Sequence, residues 1–313
     1  MIPTSINQKH ILFGALNWGM GHVARSIGLL RQLQMNNEIT IVCDSHQYSV
    51  FKSYFPEFNY ITKEGYPFNF KGKGNFRTDL IRSLLRLANY VREEVYFVES
   101  CIDTLQVDLV ISDNRYGFYS KKCPSILLTH QLNLPLHWWE YPAQMFLNKL
   151  LMRFNSIWVP DGMDRSLSGK LSQNKQGLPV QYIGFLSRFE GCRLSVNAEQ
   201  RPILILSGPA VYRQILIEKA VQLSCEFEVV YVSDKHDKGI QRLMNEFPEV
   251  SFRSVSSWNE LDDLLCSTSL VISWCGYSTL LDLQFLNVDA VLFPTPGQSE
   301  QAYLYSRWLK NMR

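Results

Sequence analysis

The sequence predicts an α/β protein made of two doubly wound parallel-sheet domains that face each other across a cleft. Three observations carry that prediction. Strand-length runs of Val, Ile and Leu alternate with longer segments of helical period, the pattern of parallel β-α-β units. The runs are close to continuously apolar, as strands covered on both faces are. Their series is broken once, by the polar, strand-poor stretch SRFEGCRLSVNAEQR, and then resumes. A chain of 313 residues has room for two domains of about 150. The expected division is a first domain over 1–187, a linker over 188–201 and a second domain over 202–313.

In chain order, the first series of strands reads Ile11–Leu16, Ile39–Cys43, Leu109–Ser112, Ile126–Thr129, Ile157–Pro160 and Val180–Ile183. Between the second and third lies the clearest helix, Arg77–Leu105. Leu80, Leu84, Leu87, Val91, Val95, Val98, Ile102 and Leu105 step by fours and threes and share one face. Arg82, Glu93 and Glu94 are assigned to the opposite face. The second series reads Ile203–Leu206, Val229–Val232, Val250–Val255, Leu270–Ser273 and Ala290–Phe293, with helices such as Tyr212–Ser224 and Leu280–Asn287 between them.

Composition removes several classes of function. A hydrophobic fraction of 46% with 19% charged residues excludes a mostly disordered chain. Lys and Arg number 31 against 29 Asp and Glu, so a net charge of +2 makes no case for nucleic acid as a partner. Seven cysteines show no CxxC pair and no histidine at zinc-ligand spacing, which argues against a zinc module and a disulfide scaffold alike. The opening MIPTSINQKHILFGAL carries one Lys and a short apolar run, unlike a signal peptide or a membrane span. The expectation is a cytoplasmic protein with reduced thiols.

Ligands of open α/β sheets sit at the carboxyl ends of the strands, so the residues just after each strand matter most. After the first strand comes Gly14-Ala15-Leu16-Asn17-Trp18-Gly19-Met20-Gly21-His22, opening a helix. Gly19 and Gly21 permit close backbone approach, and His22 stands at the helix start, where a carboxylate partner would balance the helix dipole and leave a base suited to neutral pH. The same histidine would also serve as a mere turn-capping residue. Asp113 ends the strand LVIS and is placed to orient His22 if their strands are neighbours; an Asx turn is the alternative. Asn114 and Arg115 follow it, Arg115 either pairing with Asp113 or holding an anionic acceptor. His130, after SILLT, lies near the expected cleft and reads mainly as a structural histidine.

The second series has matching turns. Ser207-Gly208-Pro209 follows ILIL, and Ser273-Trp274-Cys275-Gly276-Tyr277-Ser278-Thr279 follows the strand LVIS and opens the helix LLDLQFL. Gly208 and Gly276 allow backbone approach, while Ser278 and Thr279 offer hydroxyl and N–H donors to a diphosphate. Asp282 is spaced for a ribose hydroxyl. Gln298, Glu300 and Gln301, in PTPGQSEQ, begin another helix with groups that hydrogen-bond sugars, although an ordinary N-capped helix would look alike.

These motifs together resemble glycosyltransferases of the GT-B architecture, in particular the family 28 branch of MurG-like enzymes and relatives of the UDP-glucuronosyltransferases. GMGHVARSIGLLRQL looks like the N-terminal glycine turn of that branch, WCGYSTLLDL like its nucleotide-sugar signature and PTPGQSEQ like its proline-rich turn. ISDNRYG with PSILLTHQL is similar to a bacterial subgroup. The resemblance spans nearly the whole chain and implies two Rossmann-like domains, a nucleotide-sugar donor, with UDP the expected nucleotide, and a glycan or glycolipid acceptor. It implies His22 as base with Asp113 its partner, Gly276, Ser278 and Thr279 at diphosphate, Asp282 at ribose, and Gln298 and Gln301 at the sugar. Asp stands where the family more usually has Glu at the ribose. The architecture ordinarily closes with a helix crossing back to the first domain, and here that element is either reduced or replaced by the helix Tyr303–Arg313. No cofactor is expected beyond the co-substrate, and the lack of a DxD motif agrees with a metal-independent, inverting site. GxGHVxRS also resembles the nucleotide-sugar hydrolase of pseudaminic-acid synthesis, and a non-catalytic nucleotide-sugar-binding protein is a third reading.

His137-Trp138-Trp139-Glu140-Tyr141-Pro142 and the following AQMFLNKLLMRF, with Lys149 and Arg153, form an aromatic, basic stretch. It suits peripheral contact with the inner face of the plasma membrane, or simple packing on the first sheet.

Overall fold

The computed structural model describes residues 6–67, 76–135, 141–192, 201–208, 210–223, 225–232, 238–286 and 288–311. Its contacts divide the chain into two units, with the boundary between Arg188 and Phe189.

The first unit runs β1 (His10–Ala15), α1 (Met20–Leu33), β2 (Glu38–Cys43), α2 (Ser45–Tyr54), β3 (Asn59–Thr62), α3 (Phe76–Leu105), β4 (Leu109–Asp113), β5 (Ser125–Leu128), α4 (Tyr141–Leu151), β6 (Ser156–Val159) and β7 (Val180–Tyr182). The sheet order is β3-β2-β1-β4-β5-β6-β7, and the pairings are parallel. Strand order therefore reverses between β1 and β4, where Ala15 and Asp113 are in register. Such a reversal opens a crevice at the strands' carboxyl ends. Asp44 starts α2 with a capping box, its carboxylate accepting from the backbone N–H of Gln47 at 2.8 Å. Val98, Ile102 and Leu105 of α3 pack with Leu12, Val42 and Val110 of the sheet. Gly28 lets α1 lie against the backbone of Ser187, whose oxygen would stand 2.6 Å from an added Cβ.

Two features of this unit differ from the sequence reading. The edge strand β3, NYIT, is partly exposed and carries no apolar run, so nothing in its pattern marks it. Glu94 is fully buried rather than on the polar face of α3. Three residues from Val91 and four from Val98, it lies on the apolar stripe itself.

The second unit runs β8 (Ile203–Ile205), α5 (Ala210–Val221), β9 (Glu228–Val232), α6 (Lys238–Glu246), β10 (Ser251–Val255), α7 (Trp258–Leu265), β11 (Leu270–Trp274), α8 (Tyr277–Leu283), β12 (Asp289–Phe293) and α9 (Ser299–Asn311). Its parallel sheet has the order β10-β9-β8-β11-β12. Alternate residues of each strand feed two cores. Leu204, Val229 and Ile272 meet Leu216 and Ile217 of α5 and Leu243 of α6, whereas Ile203, Val230 and Val271 meet Leu261, Leu264 and Leu265 of α7. Phe189, inside the stretch expected as linker, packs in the second of these cores beside Cys266. That packing brings Cys192 close to Cys266, 74 positions away in sequence, with a Cα–Cα separation of 7.2 Å, wider than a disulfide ordinarily spans. Cys43, Cys101, Cys123, Cys225 and Cys275 are free.

Candidate functional site

The glycine turn and β4 meet at the crevice of the first sheet. Gly19, with φ 129°, is the N-cap of α1, a backbone conformation that a side chain would strain. It sets His22 in the first turn of the helix, with Gly19 and Gly21 exposed beside it. Because β1 and β4 are neighbours, Asp113 reaches it, and Nδ1 of His22 lies 2.9 Å from Oδ1 of Asp113. The imidazole is 18% exposed and the carboxylate fully buried.

Sequence reasoning missed two further members of this cluster. Arg25 and Ser26 stand three and four residues beyond His22, on the same face of α1, a spacing that signals shared surroundings. Arg25 Nε donates to Asp113 Oδ2 at 2.8 Å and its Nη2 donates to Oδ1. Ser26 Oγ donates to the His22 carbonyl at 2.6 Å and lies 3.1 Å from Oδ2. With His22 the carboxylate has three N–H donors. Burial alone would raise the pKa of Asp113, but the Arg25 guanidinium, then His22, hold it well below the usual carboxylate range. For His22, burial and then Arg25 lower the pKa, partly opposed by Asp113. The ring is thereby kept neutral near physiological pH. The third arm of Arg25, Nη1, lies 3.1 Å from Nδ1 of the buried His130.

The structure answers the choice posed for Arg115 in a way that overturns both options. Arg115 neither pairs with Asp113 nor faces an acceptor. Asn114 adopts φ 61°, and Arg115 turns inward to Glu94, Nε lying 2.9 Å from Oε1. Its Nη1 bonds the Val42 carbonyl at 3.1 Å. Tyr66 completes this buried network, donating to the other Glu94 oxygen at 2.5 Å. The ring of Tyr66 contacts Trp18 of the glycine turn edge to face, and its backbone N–H bonds Asn17 at 3.0 Å, so the network braces that turn.

In the second unit, Gly208 has φ 87° and its carbonyl accepts from Arg213 at 2.8 Å. Gly276 is the N-cap of α8 without a side-chain cap, and Ser278 and Thr279 are half-buried in the first turn. Asp282 lies among the buried residues of α8. At the start of α9, Gln301 accepts from the Thr295 hydroxyl at 2.8 Å and donates to Gln298 at 2.8 Å; Glu300 is half-buried beside them. The structure thus brings Gln298 and Gln301 together and anchors them. The indole N–H of Trp274, at the end of β11, is buried and has no hydrogen-bond partner among the described residues, an uncommon state for a native donor.

On α4, Tyr141, Met145 and Phe146 are exposed, as is Met152 just after it, with Lys149 and Arg153 also exposed. Trp138 and Trp139 lie outside the described residues. Among the described residues no helix is long and apolar enough to cross a membrane.

No protein-family model and no curated protein matches the sequence. Solved structures do match. The MurG of Acinetobacter baumannii is similar over 97% of this chain and 84% of its own, with a TM-score of 0.52 and 11% identity. The fold is that of the GT-B glycosyltransferases. A UDP-glucosyltransferase from Polygonum tinctorium is similar over 99% of this chain and 84% of its own, with a TM-score of 0.59 and 13% identity. A protein of Arabidopsis thaliana solved with UDP-L-rhamnose matches over 97% of this chain and 83% of its own, with a TM-score of 0.58 and 10% identity. At these identities the likeness is one of fold.

Proposed function

We propose that this GT-B protein is an inverting, metal-independent glycosyltransferase that moves a sugar from a nucleotide donor, UDP-linked by preference, to an acceptor hydroxyl. The observation that carries the reading is the His22–Asp113 pair at the carboxyl edge of β1 and β4. With its proton on Nδ1 and bonded to Asp113, His22 keeps a lone pair on Nε2 for the acceptor proton. The acceptor oxygen attacks the anomeric carbon as the bond to the diphosphate breaks, and the nucleoside diphosphate departs with the electron pair. Gly276, Ser278 and Thr279 would meet the charge growing on that leaving group with N–H and hydroxyl donors. Gly208 offers a second backbone turn, Asp282 a ribose contact, and Gln298, Glu300 and Gln301 the sugar contacts. The exposed apolar and basic residues of α4 support a glycolipid acceptor met at an anionic membrane surface.

The test begins with nucleotide sugars screened for thermal stabilisation, followed by assays of the best one with and without acceptors. His22→Ala should lower transfer by a factor on the order of 10² to 10⁴ while nucleotide binding persists. Near-wild-type turnover in that variant rejects the base. Free sugar released at the full rate without acceptor would mean a hydrolase, and binding with no turnover a sensor.

A further inference from the structure

We propose that Arg25 is a positioning residue whose guanidinium, spanning Asp113 and His130, fixes opposite tautomers on the two histidines, a bare Nε2 on His22 and a protonated Nε2 on His130. The inference rests on the reading of His22 as the base. Its geometry comes from hydrogen-bond polarity. A guanidinium only donates. His130 Nδ1, 3.1 Å from Arg25 Nη1, is therefore an acceptor, and the proton of the neutral ring lies on Nε2.

At His22 the same rule meets a competitor. Nδ1 lies 2.9 Å from Asp113 Oδ1 and 2.9 Å from Arg25 Nη2. One nitrogen cannot donate to the first and accept from the second. Nη2 already donates to the nearer Oδ1, and an unprotonated Nδ1 would set its lone pair against that of a buried carboxylate oxygen 2.9 Å away with no proton between them. Nδ1–H to Asp113 therefore wins, and Nε2 carries the lone pair.

The arrangement also sets the charge. The groups facing His22 are Arg25 from its own helix, Asp113 from β4 and His130 from the segment after β5. With both histidines neutral, Arg25 and Asp113 cancel, so a proton on His22 would leave a buried net cation. Without Arg25 the remainder is an unpaired buried carboxylate, which is relieved by protonating His22. A histidine raised in this way is blocked as a base at neutral pH and recovers as pH rises.

The test compares the full chain with Arg25→Gln and Arg25→Lys, using nitrogen-15-labelled histidine and long-range nitrogen–proton NMR correlations, which need no substrate. Expected are Nδ1–H on His22 and Nε2–H on His130 in the wild type. In Arg25→Gln the His22 titration should move upward, and transfer should be depressed most at about pH 7 and restored toward about pH 9. Arg25→Lys keeps the charge but reaches fewer partners, so His22 should still titrate low while His130 loses its single tautomer. Identical tautomers on the two rings, an unmoved His22 titration in Arg25→Gln, or a pH-independent loss of transfer each overturns the proposal. If Arg25→Gln does not fold, the tautomer of His130 in Arg25→Lys decides: a mixed ring supports the role and an unchanged one refutes it. Should the protein show no transfer at all, the NMR results stand by themselves and separate this proposal from the reading of function.

Discussion

Asp113→Asn offers a direct measure of how much the site cluster contributes to the fold. The carboxylate is fully buried and takes three N–H donors, two of them from an Arg25 that is 2% exposed. An asparagine supplies one carbonyl oxygen and, in place of the second acceptor, an NH2 that meets the Arg25 guanidinium, which only donates. It also leaves the guanidinium buried without a counter-charge. Breaking a buried ion pair by removing one partner costs about 3–5 kcal/mol. In a domain of this size each kcal/mol moves the melting temperature by about 2–4 °C, so a drop of about 6–20 °C is expected by circular dichroism. Adding Arg25→Met to Asp113→Asn should recover part of the loss, since it removes the stranded cation, and a double-mutant cycle reads that coupling. Acid dependence gives a second check. The folded-state pKa of Asp113 is held down, so its contribution is complete above the unfolded value of about 3.9 and fades only as pH falls through the lower folded value. The gap between wild type and variant should therefore stay constant through neutral pH and close in strong acid. A melting temperature within about 2 °C of wild type, or purely additive effects in the cycle, would refute the account of a fully engaged buried pair.

Three other variants probe separate parts of the molecule. Gly28→Ala gains about 1 kcal/mol of helix propensity but drives a methyl to 2.6 Å from the Ser187 oxygen and 2.8 Å from its nitrogen. Overpacking of about 1–3 kcal/mol then makes the change neutral to destabilising, and a clear rise in denaturant midpoint would contradict the close approach. Thr279→Ala should weaken UDP binding by about 1 kcal/mol, the worth of one hydrogen bond; calorimetry showing equal affinity would count against the phosphate turn. Lys149→Glu should reduce co-sedimentation with anionic liposomes more than with neutral ones, and a wild type that binds neither disposes of the membrane contact.

The buried strands could be read from the sequence because a parallel strand covered on both faces must be apolar along its length, as LVISD and LVISW are. The half-exposed edge strand β3 obeys no such constraint and went unseen. His22 and Asp113 were found by the strand-end rule, yet their meeting depended on strand order, which the long helix α3 decides by carrying the chain from the far edge back to the side of β1. The residues missed or given the wrong partner are alike in one respect. Arg25, Glu94 and Arg115 are charged side chains within the core, where hydropathy expects no charge. Each is tolerable there because an opposite charge meets it from a distant part of the chain: Asp113 lies 88 positions from Arg25, and Arg115 lies 21 from Glu94. A pattern along the chain cannot show a cancellation made across the fold. The burial of three such charges around one crevice carries further weight, because apolar residues of similar volume would often serve stability equally well. What those charges add is orientation: one pair fixes the imidazole at the crevice, and the other braces the glycine turn that presents it. Loss of Glu94 should therefore disturb the glycine turn, whereas loss of Arg25 should disturb the protonation of His22.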